Sequence, residues 1–369
     1  MKRISIFILL LVILWVLGSA GCAKKSPEEA LREAEMKLRK GDLIGARIDL
    51  KELLRKYPDH QLTTEARFML AHCYFAERDY TQCRSHTELL LKQFGVKDER
   101  GRAAFELIMN TYRMEGRFAD GIAEAEKLLK ELKPEDEFGF KIKCMIADLL
   151  VDDKKTTDAI SRLNNLIAIG KDDLQRTAAL ERQVSIYSQM NNFDEAIRIY
   201  GEYYDKYPEY ENKNDLIAGQ AFFYDMKGDK DKARELFAKA IQGYQEMFDK
   251  TLDRSKKAEF LFRQAKTYEL HKDFATAREK YQMILKDFSD TPFTQSTLFA
   301  IGDSYYLERQ IDKALNYYQE ILKSQAQNPQ VVQLARARIA AMLRQQAGTR
   351  ASTQPTSPTL IQQPADEEK

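Results

Sequence analysis

Residues 265–277 read AKTYELHKDFATA, and the reading of this stretch decides the fold. Ala265 and Ala277 stand twelve positions apart, Tyr268 follows the first alanine by three, and Phe274 follows it by nine. A step of three keeps Tyr268 on the face of Ala265, one helical turn onward. Polar residues then interrupt that face before Phe274, so the stretch reads as a helix, a short turn and a second helix.

The same frame recurs along the chain. Small residues twelve apart appear as Ala34 and Ala46, Ala71 and Cys83, Ala147 and Ala159, Ala221 and Ala233, and Gly302 and Ala314. Met109 with Gly121 and Val184 with Ala196 keep the spacing with one larger member. Second members advance by 37, 38, 38, 37, 37, 44 and 37 residues. Tyr74, Tyr112, Tyr187, Tyr224 and Tyr305 repeat the place of Tyr268, and Leu43, Tyr80, Phe118, Phe193 and Ile311 that of Phe274. Polar turns such as Lys40-Gly41-Asp42, Glu115-Gly116-Arg117 and Lys227-Gly228-Asp229 lie between them. The frame predicts antiparallel helical hairpins whose backbones approach so closely that only small side chains fit at the crossing. One hairpin cannot bury both its faces, so the hairpins must stack. The fourth unit is least regular, with Leu150 for the tyrosine and Thr156 opening the second helix, and the first carries Lys37 at the tyrosine place. The step of 44 predicts about two extra helical turns between Gln242 and Arg254.

These residues resemble the tetratricopeptide repeat, which places a small residue, an aromatic three later, an alanine twelve later and a closing proline. The resemblance covers roughly residues 27–327. It implies an all-α, right-handed superhelical solenoid of about eight hairpins with a C-terminal capping helix. Arg55-Lys56-Tyr57-Pro58-Asp59 and Asp205-Lys206-Tyr207-Pro208-Glu209 resemble the long-period variety found in envelope lipoproteins. Those include the BamD-like component of the β-barrel assembly machinery and the YbgF-like coordinator of the Tol-Pal system. A period longer than the usual ~34 residues implies second helices almost one turn longer.

The flanks carry different information. Residues 1–21 read as a secretory signal peptide: Lys2 and Arg3, an apolar run from Ile4 to Leu17 too short to span a bilayer comfortably, then Gly18-Ser19-Ala20-Gly21. Ser19-Ala20-Gly21-Cys22 resembles a bacterial lipobox, with Ser19 where that family usually has Leu. The resemblance implies that Cys22 is diacylated and becomes the mature amino terminus, residues 22–26 forming a short linker. Ala23, in place of the Asp of inner-membrane retention signals, implies an outer-membrane lipoprotein anchored in lipid and facing the periplasm. Ser26, Pro27 and Glu29 form a capping-box start suited to an end repeat. Val331 to Gln346 is apolar on one face, with Val332, Leu334, Ala335, Ile339, Met342 and Leu343, and is expected to close the solenoid. From residue 347 the chain is rich in Thr, Ser, Gln and Pro and is expected to be a disordered tail to Lys369.

Composition bounds the chemistry. With 44% hydrophobic and 31% charged residues the chain can bury a core under a solvated surface. Lys and Arg number 58 against 57 Asp and Glu, so no basic surface invites nucleic acid. No His-Glu-x-x-His, phosphate loop or Gly-x-Ser-x-Gly elbow occurs, and neither a catalytic residue nor a cofactor is expected. His72, Cys73, Cys83 and His86 place four zinc-type ligands close in sequence. Adjacent helical residues point about 100° apart, however, and Cys83 falls where the crossing needs a small buried group, so no metal site is expected. Cys73, Cys83 and Cys144 are read as small buried hydrophobes, a Cys73–Cys83 disulfide being the alternative.

The resemblance also implies that first helices line a concave surface where ligands lie. Projected onto this chain, that surface carries Phe68, Met69, His72, Phe75, Asn110, Arg113, Met145, Asp148, Arg182, Gln189, Phe222, Met226, Phe262, Arg263, Lys266, Phe299, Asp303 and Tyr306. Aromatics and methionines interleaved with arginine suit an interface for protein or peptide. The alternative is that half of them pack between neighbouring first helices. The family's carboxylate clamp is not expected, because Asn110 matches it but Glu106 stands where it has Lys. The function expected is a non-catalytic scaffold that binds other envelope proteins or peptides during envelope assembly, an accessory role in secretion, pilus or exopolysaccharide export being the alternative.

Overall fold

The computed structural model describes residues 25–133, 136–324 and 328–353, with side chains to residue 342 in the last segment. The signal peptide, Cys22 and the tail from residue 354 lie outside the described residues. Among the described residues every regular element is α-helical. The helices are α1 (Pro27–Arg39), α2 (Leu43–Lys56), α3 (Thr63–Ala76), α4 (Tyr80–Phe94), α5 (Glu99–Glu115), α6 (Phe118–Glu131), α7 (Glu137–Asp152), α8 (Thr156–Ile169) and α9 (Asp173–Gln189). They continue with α10 (Phe193–Lys206), α11 (Lys213–Lys227), α12 (Lys230–Lys250), α13 (Arg254–Leu270), α14 (Phe274–Asp287), α15 (Thr294–Leu307), α16 (Ile311–Lys323) and α17 (Pro329–Thr353). Two compact units follow one another, to Ile186 and from Tyr187, the division falling inside α9.

One turn recurs between first and second helices. Seven residues after each first small residue the backbone enters the left-handed region, at Gly41, Arg78, Gly116, Lys154, Asn191, Gly228, Lys272 and Arg309. The next amide donates back across the turn to a first-helix carbonyl at 2.8 or 2.9 Å: Asp42 to Lys37, Asp79 to Tyr74, Arg117 to Tyr112, Lys155 to Leu150, Asn192 to Tyr187, Asp229 to Tyr224, Asp273 to Tyr268 and Gln310 to Tyr305. This is the six-to-one bond of a Schellman motif, which satisfies a carbonyl that the helix end would otherwise orphan. In five turns the same residue then caps the second helix, the side chains of Asp42, Asp79, Asn192, Asp229 and Asp273 accepting from the amide three residues on. Each second helix accordingly starts nine residues after the small residue, at Lys230 in the sixth hairpin and at Thr156 in the irregular fourth.

The predicted crossing is present. Ala34, Ala46, Ala71, Cys83, Ala159, Ala196, Ala221, Ala265, Ala277 and Ala314 are all fully buried. At Gly302 a Cβ would lie 2.7 Å from the buried Tyr318 ring, so glycine is needed there for space. In the first unit one core joins α1 to α4 through Leu50, Leu53, Leu70 and Tyr74, and another runs through Phe105, Phe138, Ile142, Ile146 and Leu163. In the second unit Phe237 and Ala240, then Tyr281 and Ile284, then Tyr318 and Ile321 anchor successive clusters, the last closed by Val331, Val332, Ala335 and Met342 of α17.

A second device ties one hairpin to the next. Arg47, Arg84 and Arg278 each follow the second small residue directly and lie over Tyr74, Tyr112 and Tyr305 of the following hairpin, at 5.7, 4.9 and 4.5 Å from the ring centroids. Each guanidinium also pairs with the glutamate one turn beyond that tyrosine, Glu77, Glu115 or Glu308. Arg84 and Arg278 in addition donate to the buried hydroxyls of Thr111 and Ser304, at 3.0 and 3.3 Å. Arginine suits this place because its planar head can stack on a ring while its edge donates.

Two expectations are adjusted, and the one drawn from the step of 44 is met. The extra residues of the long period are not confined to second helices, since α5, α9 and α13 are first helices of 17 residues. The step of 44 falls in α12, a single helix of 21 residues where α14 has 14. The closing helix runs to Thr353, past the Gln346 at which the tail was expected to begin. No proline interrupts it before Pro355, and Gly348 alone costs only about 1 kcal/mol of helix propensity.

The turn geometry sets two opposite outcomes. Gly228→Ala strains the left-handed residue and is expected to cost about 1–2 kcal/mol, although no atom lies within 4 Å of the added Cβ. Arg309→Gly removes that strain and is expected to raise the stability by up to about 1 kcal/mol, read as a higher urea midpoint. Arg84→Met leaves the partly buried Glu115 with only the more distant Arg117, at 3.8 Å, and strips Thr111 and Tyr112 of their cation, so a loss of about 2 kcal/mol in urea unfolding is expected. Arg234→Met breaks an exposed pair with Asp231 and a long exposed bond to the Lys230 carbonyl, and should change stability by less than about 0.5 kcal/mol.

Candidate protein-binding surface

First helices of neighbouring hairpins are joined through charged pairs on their exposed faces. In the first unit Lys141 of α7 reaches Glu106 of α5 at 2.5 Å, and Arg113 of α5 reaches Asp152 at 2.5 Å. Arg182 of α9 donates to both oxygens of Asp148, at 3.1 and 3.3 Å. Burial holds the Asp148 carboxyl above its ordinary range, opposed by the charge of Arg182. A shallow cleft of about 530 Å³ opens between α5 and α7, walled by Arg102, Ala103, Glu106, Phe138 and Lys141. Lys141 therefore neutralises the glutamate that stands where a carboxylate clamp would need a cation.

In the second unit buried tyrosines of second helices bond back to the first helix of their own hairpin, and arginines from the next element reach two of the same carboxylates. The Tyr244 hydroxyl of α12 donates to Asp215 of α11, and Arg263 of α13 pairs with the same carboxylate while holding Glu259 at 2.8 Å. Tyr281 faces Glu269, whose other contact is Lys266 at 2.7 Å. Tyr318 donates to Asp303 at 2.5 Å, and Arg338 of α17 donates to that carboxylate at 3.0 Å. Burial pushes all three tyrosine hydroxyls far up, so each remains a proton donor. Burial likewise raises Asp215 and Glu269 above the usual carboxylate range.

The residues expected on the binding surface divide into three groups. His72, Asn110, Arg113, Gln189, Met226 and Lys266 are exposed. Met69, Phe75, Met145, Phe222, Phe262, Phe299 and Tyr306 are half-buried and pack on core clusters, leaving one edge in solvent. Phe68 is also half-buried, and Arg182, Arg263, Asp148 and Asp303 are spent in the joints just described. Sequence reasoning passed over Glu106, Lys141, Asp152, Asp215 and Glu269 as joint residues. One signal was present: Tyr244, Tyr281 and Tyr318 recur at intervals of 37. It also passed over a cleft of about 640 Å³ between α4 and α6, floored by Leu91, Val96, Phe105, Leu128 and Leu132.

The cysteine and histidine cluster is built for packing. Cys73, Cys83 and Cys144 are buried free thiols, and burial raises them to about 11, about 12 and about 11. A thiol so raised stays protonated at neutral pH and is a poor nucleophile. His86 stacks on Tyr74 at 5.6 Å, and burial with Arg67 and Lys51 lowers its affinity for a proton. Among the described residues no group of three His, Cys, Asp or Glu side chains is placed to hold a metal.

Comparison with known proteins adds the following. Three segments, 178–210, 259–291 and 296–327, match the tetratricopeptide repeat. Repeats of this kind bind proteins and peptides and typically act as non-catalytic scaffolds, and the match indicates no enzyme family. The chain is similar to a tetratricopeptide repeat protein from Parabacteroides merdae, at 15% identity and a TM-score of 0.36, over 84% of this chain and 97% of that one. Naa15/Naa10 bound to HypK-THB aligns at 15% identity and a TM-score of 0.34, over 84% of this chain and 55% of that one. A human IFIT1 dimer with m7Gppp-AAAA aligns at 15% identity and a TM-score of 0.34, over 88% and 84%. No curated protein matches the chain.

Glu269 offers a test of the buried joints. Its folded form favours the protonated acid, so the stability it contributes is present below its unfolded pKa of about 4.3 and is lost as pH rises through the higher folded value. Glu269→Gln is therefore expected to match the parent in urea unfolding at acidic pH and to exceed it at pH near 7.

Proposed function

We propose that this chain is a non-catalytic scaffold of the bacterial cell envelope, acylated at Cys22, held on the periplasmic side of the outer membrane, and docking proteins during envelope assembly. Acylation is supported by the apolar leader and by Ser19-Ala20-Gly21-Cys22. Among the described residues no helix is long and apolar enough to cross a membrane. The observation that carries protein binding is the first-helix face of the second unit. There the half-buried Phe222 and the exposed Met226 on α11 offer apolar surface, and Phe262 on α13 does so beside the Lys266 cation. Such a mixture anchors side chains of a partner and orients its peptide groups.

A photo-crosslinking amino acid in place of Met226, used in living cells, is expected to capture a component of an envelope-assembly complex. Adding Phe222→Ala is expected to lower capture about tenfold, the effect of losing an anchor worth ~1.4 kcal/mol. Capture that yields only cytoplasmic proteins, or that ignores Phe222→Ala, rejects the reading. Mass analysis of the amino-terminal peptide is expected to show an acylated cysteine.

A further inference from the structure

Ile44 and Ile48 are 62% and 59% exposed on α2, opposite the buried Ala46, Leu50 and Leu53 of the same helix. Their spacing of four puts them on one line, and Lys51 and Arg55, both exposed, continue that line toward the C-terminal end of α2. A solvent face of a helix ordinarily carries polar groups, and this one carries two adjacent β-branched apolar residues followed by two cations. Leu252, the most exposed large apolar residue, stands by contrast in the loop between α12 and α13.

The way the chain enters the fold limits how far α2 can lie from a lipid anchor. The Tyr57 hydroxyl at the end of α2 donates to the Lys25 carbonyl at 2.9 Å, pinning the linker there. Lys25 lies three residues after Cys22, a reach of no more than about 10 Å even when fully extended. An acyl anchor at Cys22 therefore holds the Lys25 carbonyl within about 10 Å of the bilayer and the Arg55 end of α2 one tyrosine side chain farther off, and the line runs from that end along a helix of ~21 Å.

We propose that the outer face of α2 lies on the bilayer surface, with Ile44 and Ile48 in the headgroup boundary and Arg55 against anionic headgroups, while the Lys51 ammonium stays over the Tyr74 ring at 5.3 Å. This rests on the acylation of Cys22 proposed above. The pattern of apolar side chains flanked by cations is that of an interfacial helix, and one lipid-linked residue holds better with a second contact of this kind. Arg55 and Lys56 both hold Glu52, at 2.8 and 2.9 Å, and lipid phosphate can replace that exposed carboxylate as their partner.

The test uses the full lipoprotein, purified from membranes with its acyl chains and placed in vesicles of phosphatidylethanolamine and phosphatidylglycerol. A nitroxide is attached at Ile48→Cys or, separately, at Ala119→Cys on the exposed side of α6. The buried native thiols, raised to about 11 or 12, leave the introduced cysteine as the reactive one. Collision with dissolved oxygen is expected to rise severalfold at position 48 relative to 119, and collision with a water-soluble nickel complex to fall severalfold. An acylated, vesicle-bound protein with both labels equally open to nickel overturns the surface contact and leaves the anchor standing. A Cys22 found without acyl chains overturns both. Dipolar broadening at position 48 reports a second copy of the chain there, and shielding from both reagents reports another protein, either of which overturns the bilayer assignment.

Discussion

Everything in this molecule depends on how closely two antiparallel helices can approach at one point. The approach needs a small residue on each helix, and it needs the turn between them to have one fixed length. The left-handed residue and the returning amide of the Schellman bond supply that length, and five of the turns let the same residue cap the next helix. Ala265 and Ala277 meet because Lys272 and Asp273 place them there. Packing and turn are thus one constraint, and a change in either would displace the other.

The joints between hairpins follow from that constraint. Because each second helix starts at the same distance from its crossing, the residue after the second small one is placed where a long side chain can reach the following hairpin. Arginine at that place stacks on the next tyrosine and reaches its glutamate in three of the hairpins. Where the arginine is absent or turned elsewhere, other groups join the hairpins: Phe237 meets His271 at 4.9 Å, and Arg182 reaches back to Asp148. The charged residues on first helices are consequently occupied in holding neighbours, and the edges left for a partner are mostly aromatic and methionine.

The spacing of small residues made the hairpins and the starts of the second helices legible in sequence, even at Thr156 and Lys230. The left-handed turn residue was half legible: Gly41, Gly116 and Gly228 advertise it, while Arg78, Lys154, Asn191, Lys272 and Arg309 reveal nothing, because there the tertiary crossing imposes the conformation. Joints such as Glu106 with Lys141 or Asp215 with Arg263 join residues far apart in sequence, and local periodicity carries no information about them. The aromatic residues expected on the binding surface were placed on the correct helices, but Phe75, Phe222 and Phe262 divide their surface between core and solvent. A position on a helical face does not tell how much of a large ring its neighbour covers.

The long helix α12 has a consequence of a different kind. Ala233 lies 37 residues after Ala196, continuing the count of the hairpins before it, while Ala240 lies 37 before Ala277 and begins the count of those after it. Both are buried in the same helix, as are Phe237 and Tyr244, so two phases of the repeat coexist there on one continuous stripe. This is possible because seven residues rotate an α-helix to within about 20° of two full turns. An insertion of five would have turned the second phase toward solvent. The α12 helix thus acts as a phase adapter, and the chain tolerates a change of count here without reorienting any hairpin face that follows.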